Sequence, residues 1–384
     1  MIITFYSYKG GVGRTQLVAN LASYFCYYEK KRVLLIDWDL EAPGLHFYFD
    51  KLNKDINAKG LIDVFQQYVK LRRSGAQVKD KHELPKFTSE NIMKLDNAPK
   101  ENLGCIDLIP AGNYSEIDNY RFNVIDFNWY EFYELLDGKR YIEFIKKELK
   151  SLNYDYILVD SRTGLSDYSD ICNIQIPDMN VVVMAPTNQN FEGCRALVDN
   201  ILNSPYTQQK FRKPIILPIL SRLDLSIENQ SNKWIDKFHN FNDLLEFAQP
   251  YFYSKINSLD FDSYVYETLL DYKRDLSYGE QILFTKNTEE RTYPGTLKEK
   301  YLNVASYIKY FNSDELLKPY ITPTKKEDLI FKLEEAKSLL KKWMDSKKNT
   351  INTADKKRCE IEIERIQKLI ELYETELKNL DNKE

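Results

Sequence analysis

The residues with the clearest chemistry lie near the start of the chain, in Tyr8-Lys9-Gly10-Gly11-Val12-Gly13-Arg14-Thr15. Gly10, Gly11 and Gly13 leave backbone N–H groups uncovered, so these can converge on phosphate oxygens that side chains would otherwise block. Lys9 and Arg14 add positive charge. Thr15 brings a hydroxyl to the place where Ser or Thr closes a phosphate-binding loop and meets magnesium. A strand-like run, Ile2–Tyr6, comes before the loop, and an amphipathic stretch, Gln16–Tyr28, follows it. The helix predicted to start near Thr15 turns the positive end of its dipole toward a bound phosphate. Gln16, in its first turn, joins the nucleotide-binding set.

Acidic partners for such a loop occur twice downstream. Val33–Ile36 is an apolar run that ends in Asp37-Trp38-Asp39, two carboxylates one residue apart. Tyr156–Val159 ends in Asp160, followed by Ser161-Arg162-Thr163-Gly164. Carboxylates at the carboxyl ends of buried strands can reach metal-bound water or an attacking water, which is what phosphoryl transfer requires. Asp160 is positioned to hold magnesium through water. Arg162 has two readings, a contact to phosphate or to a partner subunit, and a structural ion pair.

The loop resembles the deviant Walker A motif, Lys-Gly-Gly-Val-Gly-(Lys/Arg)-Thr, of the MinD/ParA-type ATPases of the SIMIBI class, here with Arg14 where the family usually has Lys. The resemblance covers about residues 1–300. It implies ATP and Mg²⁺ as cofactors, with Thr15, Asp37 and Asp160 on the metal side. It further implies that Lys9 reaches across a dimer interface to the partner's nucleotide, and that Asp39 polarises the attacking water. Lys9, Asp39 and Arg14 form the expected catalytic set. Gly10, Gly11, Val12, Gly13, Arg14, Thr15 and Gln16 form the expected phosphate-side set. Ile219-Leu220-Ser221-Arg222-Leu223-Asp224 occupies the place of the family's base-reading loop, so Arg222 and Asp224 join the binding residues. Ser221-Arg222 stands where family members often carry Asn. Ala185-Pro186-Thr187-Asn188 resembles the loop after the next strand, and Tyr272–Glu280 the late loop that covers the base. Pro43 lies three residues later than the family's usual Pro. Arg14 keeps a permanent charge and can clasp phosphate in a fork, but its planar head differs from a compact ammonium.

The elements that must position these residues follow from patterning. Ile2–Tyr6, Val33–Ile36, Ile106–Ile109, Tyr156–Val159, Val181–Met184 and Ile215–Leu220 are apolar without polar alternation, as strands buried on both faces of a parallel sheet should be. Amphipathic stretches such as Gln16–Tyr28 and Tyr141–Leu152 alternate with them. The expected fold class is α/β, a doubly wound, mostly parallel sheet with helices on both faces and ligands at the carboxyl edge. The expected ATPase domain spans residues 1–320, with a helical insertion at about 50–104 that carries Lys70, Arg72, Arg73, Lys79 and Lys81. Residues 226–320 read as mostly helical and loop-like, with a Tyr251-Phe252-Tyr253 cluster. Residues 324–384 read as a heptad-like helical hairpin, from Leu329, Leu333, Ala336, Leu340 and Trp343, then Ile366, Ile370, Tyr373, Leu377 and Leu380. Glu362, Glu364, Glu371, Glu374 and Glu376 argue against a membrane-surface helix there, because anionic lipid repels them.

Bulk properties narrow the function classes. A net charge of −4 gives no global basic field for nucleic acid. The aromatic share is 14%, with 28 Tyr and 20 Phe, and points first to a Tyr-rich core. Five scattered cysteines without a C-x-x-C pair exclude zinc-type spacing and suit a reducing cytosol. The chain starts on a strand-like run with no leader signature, and no apolar run of about 18 residues occurs, so a cytoplasmic protein without a transmembrane segment is expected. The leading functional expectation is an ATP-dependent dimerisation switch. It hydrolyses ATP slowly with Mg²⁺ and recruits an unidentified partner protein through the carboxy-terminal hairpin, in a positioning, partition-like or defence-like system. Weak DNA contact through the basic insertion accompanies it. The alternative is a catalytically weak nucleotide-binding scaffold acting through the hairpin, the reading Arg14 favours. A metabolic synthetase comes third, since it would not need the hairpin.

Overall fold

The computed structural model describes residues 1–49, 58–75, 83–95, 104–164, 171–204, 206–207, 214–248, 261–274, 278–286, 292 and 295–311, and single positions between 333 and 378. The chain divides into two compact units, Met1–Ser313 and Asp314–Glu384.

The first unit is built on one sheet of β1 (Ile2–Tyr6), β2 (Arg32–Asp37), β3 (Met93–Lys94), β4 (Cys105–Ile109), β5 (Tyr156–Asp160), β6 (Met179–Met184), β7 (Ile215–Leu223) and β8 (Leu270–Asp271). Their order is β3-β4-β2-β5-β1-β6-β7-β8. Every pairing is parallel except β3 with β4. Each apolar run expected to be a strand is one. The absence of alternation has the expected cause: β1, β5 and β6 are buried along their whole length. Around them lie α1 (Arg14–Tyr27), α2 (Leu61–Arg73), α3 (Ile117–Ile125), α4 (Gly138–Ser151), α5 (Asn188–Asn203), α6 (Glu228–Ala248), α7 (Phe261–Thr268) and α8 (Leu297–Phe311). This is the doubly wound α/β class.

The stretch expected as a helical insertion supplies α2, which lies in the crossover from β2 to its parallel neighbour β4. It also supplies β3, a two-residue antiparallel edge strand that the sequence pattern did not show. Lys79 and Lys81 lie outside the described residues, as does the Tyr251–Tyr253 cluster.

Much of the aromatic content packs under this crossover. Tyr68 and Tyr141 stack at 3.8 Å, and Phe65 meets Trp38 at 5.6 Å and Phe132 at 5.4 Å. Fully burying each such ring contributes roughly 1.5–3 kcal/mol. Trp38 lies between Asp37 and Asp39 in sequence, so its burial anchors the acidic loop to the core.

In the second unit the described positions are helical. Lys337 pairs with Glu374 and Lys347 with Glu360, each at 2.9 Å, so the partners run in opposite sequence directions. Ile366 is buried. Leu329, Ala336, Trp343, Tyr373, Leu377 and Leu380 lie outside the described residues. Among the described residues no helix is long and apolar enough to cross a membrane. No disulfide joins Cys26, Cys105, Cys172 or Cys194, and Cys359 lies outside the described residues.

Candidate functional site

The glycine-rich loop leaves β1 at the middle of the sheet and enters α1. Gly11 and Gly13 adopt left-handed backbone, with φ of 75° and 88°, which an L side chain strains to reach. A Cβ at Gly10 or Gly11 would meet nothing within 4 Å, so the loop faces open space. The loop is braced from behind: Ser221 Oγ donates to the Val12 carbonyl at 2.8 Å, and Ser7 Oγ donates to the Lys9 carbonyl at 3.0 Å. Tyr8, where the family usually has Gly, has a packing role. Its ring lies on Gly193 of α5 so closely that a Cβ there would come within 2.0 Å. Lys9 is exposed, with its ammonium 5.5 Å from the Tyr8 ring centroid and no ion pair among the described residues.

Strand register assembles the acidic side. Asp160 on β5 is the partner of Phe5 on β1 and of Asp37 on β2, so the carboxyl ends of three strands meet. Arg14 enters this cluster and is only 6% exposed. Its Nε donates to Asp160 Oδ1 at 2.5 Å, Nη2 to Asp39 Oδ2 at 3.2 Å, and Nη1 to Ser7 Oγ at 3.4 Å. Thr15 Oγ1 donates to the other Asp160 oxygen at 2.7 Å. Asp37 is fully buried and organises the loop that follows. It accepts from the N–H groups of Asp39, Gly44 and Leu45, each at 3.2 Å.

Asp39 and Asp160 thus share one buried guanidinium, with Asp37 buried beside them. Burial pushes the Asp37 carboxyl well above the ordinary carboxylate range, and the Asp160 charge pushes it further. Burial raises Asp39 too, and Arg14 only partly opposes it. Burial works against the Arg14 charge, but Asp160 and Asp39 outweigh it and raise that pKa. The site therefore has a shortage of positive charge. Among the described residues no group of three or more His, Cys, Asp or Glu forms a metal cage. The donors present fit magnesium in its usual mode: one carboxylate and one hydroxyl, with the remaining positions left to phosphate and water. Asp160 and Thr15 would be those donors.

Beside the loop lies an open cleft whose lining includes Gly13, Gln16, Ser221, Arg222, Asp271 and Tyr272. Arg222 has φ 55°, left-handed for a non-glycine residue, at a register shift between β7 and β8. The shift turns its guanidinium over the Tyr272 ring at 5.6 Å. The expected residues Gln16 and Arg222 are therefore brought together with Gly13. Asp224 is not: it is exposed past the end of β7 and accepts from the Ser226 N–H and hydroxyl at 3.0 and 2.6 Å. Arg162 makes a bidentate pair with Glu41, at 2.7 and 2.6 Å. Residues 275–277 of the expected base-covering loop lie outside the described residues. The sequence reading missed Ser7 and Asp271. For Asp271, the available signal was its place immediately before the late loop.

Comparison with known proteins bears on this geometry. A family model described as the CobQ/CobB/MinD/ParA nucleotide binding domain matches residues 3–380. No curated protein matches the chain. Among solved structures, MinD cell division protein from Aquifex aeolicus is 17% identical with a TM-score of 0.46, covering 80% of this chain and 97% of that one. A putative plasmid partition protein from Borrelia burgdorferi B31 bound to AMPPNP is 18% identical with a TM-score of 0.45, covering 80% and 98%. pNOB8 ParA bound to nonspecific DNA is 20% identical with a TM-score of 0.45, covering 80% and 98%.

Proposed function

The chain belongs to the CobQ/CobB/MinD/ParA nucleotide-binding family, and on that premise we propose that it is an ATP-driven dimerisation switch that hydrolyses its nucleotide slowly. The carrying observation is the open glycine cradle with Arg14, Thr15, Asp39 and Asp160 knitted behind it. In this reading the loop N–H groups and Arg14 bind the phosphates. Thr15 and Asp160 would hold Mg²⁺, which when bound neutralises charge on the phosphates. Asp39, released from Arg14 as phosphate competes for the guanidinium, orients the attacking water. Lys9, exposed at the loop, serves the partner's nucleotide.

A protein-facing surface lies beside this site. The Tyr120 hydroxyl donates to the Leu40 carbonyl, tying α3 to the acidic loop. Phe122 and Ile125 on α3 are 66% and 84% exposed, a patch suited to burial when two subunits close. The antiparallel ion pairs of the second unit support a helical hairpin there as the partner-recruiting element. Weak DNA contact would fall to Lys70 and Arg72, since Arg73 is committed to Glu131 at 2.8 and 2.6 Å. Neutralising both should remove any salt-dependent binding.

The test is ATP binding and phosphate release by the full chain. The switch reading expects binding with slow release, and Asp39→Ala to keep binding while lowering release by about 100-fold or more. Tight binding with no release would instead favour the scaffold reading. That second reading has its own observation: the water-orienting Asp39 is tied to Arg14. It expects Arg14→Lys, which frees Asp39, to gain hydrolysis.

A further inference from the structure

Two polar atoms are stranded in the cleft beside the phosphate loop. Asp271 Oδ1 and Gln16 Nε2 are both buried without a hydrogen-bond partner among the described residues, and both side chains line that cleft. Native proteins rarely leave buried polar atoms unpaired, so a stranded acceptor and a stranded donor in one cleft mark where a ligand completes the set. The other Asp271 oxygen is already engaged, with Lys273 Nζ 3.3 Å from Oδ2. That leaves Oδ1 as the acceptor that Asp271 offers the ligand. Tyr272 and the Arg222 guanidinium over its ring bring a flat, cationic surface to the same cleft. The left-handed backbone at Arg222 is a local strain of the kind retained where it positions a group for binding.

We propose that Asp271 is the specificity-determining residue of the nucleotide site, its Oδ1 accepting a hydrogen bond from the 6-amino group of adenine. The inference rests on the nucleotide-binding reading above and adds the residue that selects the base. Adenine presents an N–H donor at C6, whereas a 6-oxopurine such as hypoxanthine or guanine places a carbonyl oxygen there. A buried carboxylate welcomes the first and repels the second. Gln16 Nε2 remains to donate to a ring nitrogen or a ribose oxygen.

The experiment is calorimetric titration of the full chain with ADP, IDP and GDP in the presence of magnesium. ADP should bind more tightly than IDP or GDP by about tenfold to a hundredfold. In Asp271→Asn, whose amide can turn either its oxygen or its NH₂ toward the base, the ADP-to-IDP ratio should fall to within about threefold of one. Lys273→Met removes the ion pair but keeps the acceptor, and should retain the ADP preference. A wild-type ratio near one, tightest binding by GDP, or an unchanged ratio in Asp271→Asn would overturn the assignment. If the diphosphates bind without discrimination, only the assignment of Asp271 falls. If none of the three binds, the nucleotide reading falls with it.

Discussion

At the amino edge of the sheet, Asp178 lies between Lys150, at 2.8 Å, and Lys146, at 4.0 Å, and accepts the Ile2 N–H at 3.0 Å. At the carboxyl edge, Asp39 and Asp160 share Arg14, and Asp37 is buried beside them. Burial pushes Asp178 upward, but Lys150, Lys146 and the Ile2 N–H pull it below the ordinary carboxylate value. Asp37, more deeply buried, has only neighbouring carboxylates and backbone N–H groups, and rises. The same residue type thus clamps strand β1 at one edge and accumulates uncompensated negative charge at the other. Charge balance separates a structural carboxylate from one that awaits a cationic or metal-bearing ligand.

The largest test of that contrast is Arg14→Ala. It leaves the buried carboxylates of Asp39 and Asp160 without their counter-charge and should cost about 3–5 kcal/mol of stability in urea denaturation without nucleotide. Added magnesium should recover part of the loss, since the missing charge can come from a cation. A cost below about 1 kcal/mol would break the contrast, because the cluster would then not depend on its guanidinium.

Asp178→Asn comes next. It should cost about 1–3 kcal/mol by loosening the start of β1, with nucleotide binding unchanged. If binding falls in step with stability, the two edges are not separable.

The pH dependence sharpens the comparison by sign. The folded pKa of Asp178 lies below its unfolded value of about 4, so its stabilisation is present above that value and fades as pH falls through the folded pKa. The folded pKa of Asp37 lies above about 4, so its contribution is fully present below that value and is lost as pH rises through the folded pKa. Carboxyl ¹³C titration of the nucleotide-free protein should place the Asp178 midpoint below the ordinary range and the Asp37 midpoint above it. The reverse order would refute the charge accounting.

The smallest effect on stability belongs to Lys9→Ala. Lys9 is exposed and makes no ion pair among the described residues, so its loss should change stability by about 0.5 kcal/mol or less. Any large effect of this variant must therefore appear in assembly.

The sequence was most informative where one local signal dominates. Unbroken apolar runs gave β1, β2, β4, β5, β6 and β7 because strands buried on both faces need no polar positions. The glycine spacing gave the loop, because left-handed backbone at Gly11 and Gly13 restricts the residue choice. What it did not give depends on register and tertiary approach. β3 is two residues long and paired antiparallel, too short for periodicity to register. The place of Arg14 between Asp39 and Asp160 is set by the pairing of Asp37 with Asp160, which no spacing within one strand encodes. Asp224 matched the base-reading stretch by position, but the left-handed turn at Arg222 directs the chain so that Asp224 caps Ser226 instead. Asp271 reaches the cleft from a strand that begins one residue before it.

The most direct test of the switch is the mass of the full chain by light scattering without nucleotide, with ADP, and with ATP plus magnesium, alongside phosphate release. The account predicts a monomer that becomes a dimer only with ATP and magnesium and reverts as phosphate appears. Asp39→Ala should trap that dimer and Lys9→Ala should abolish it. A mass that never changes while no phosphate is released would contradict the switch.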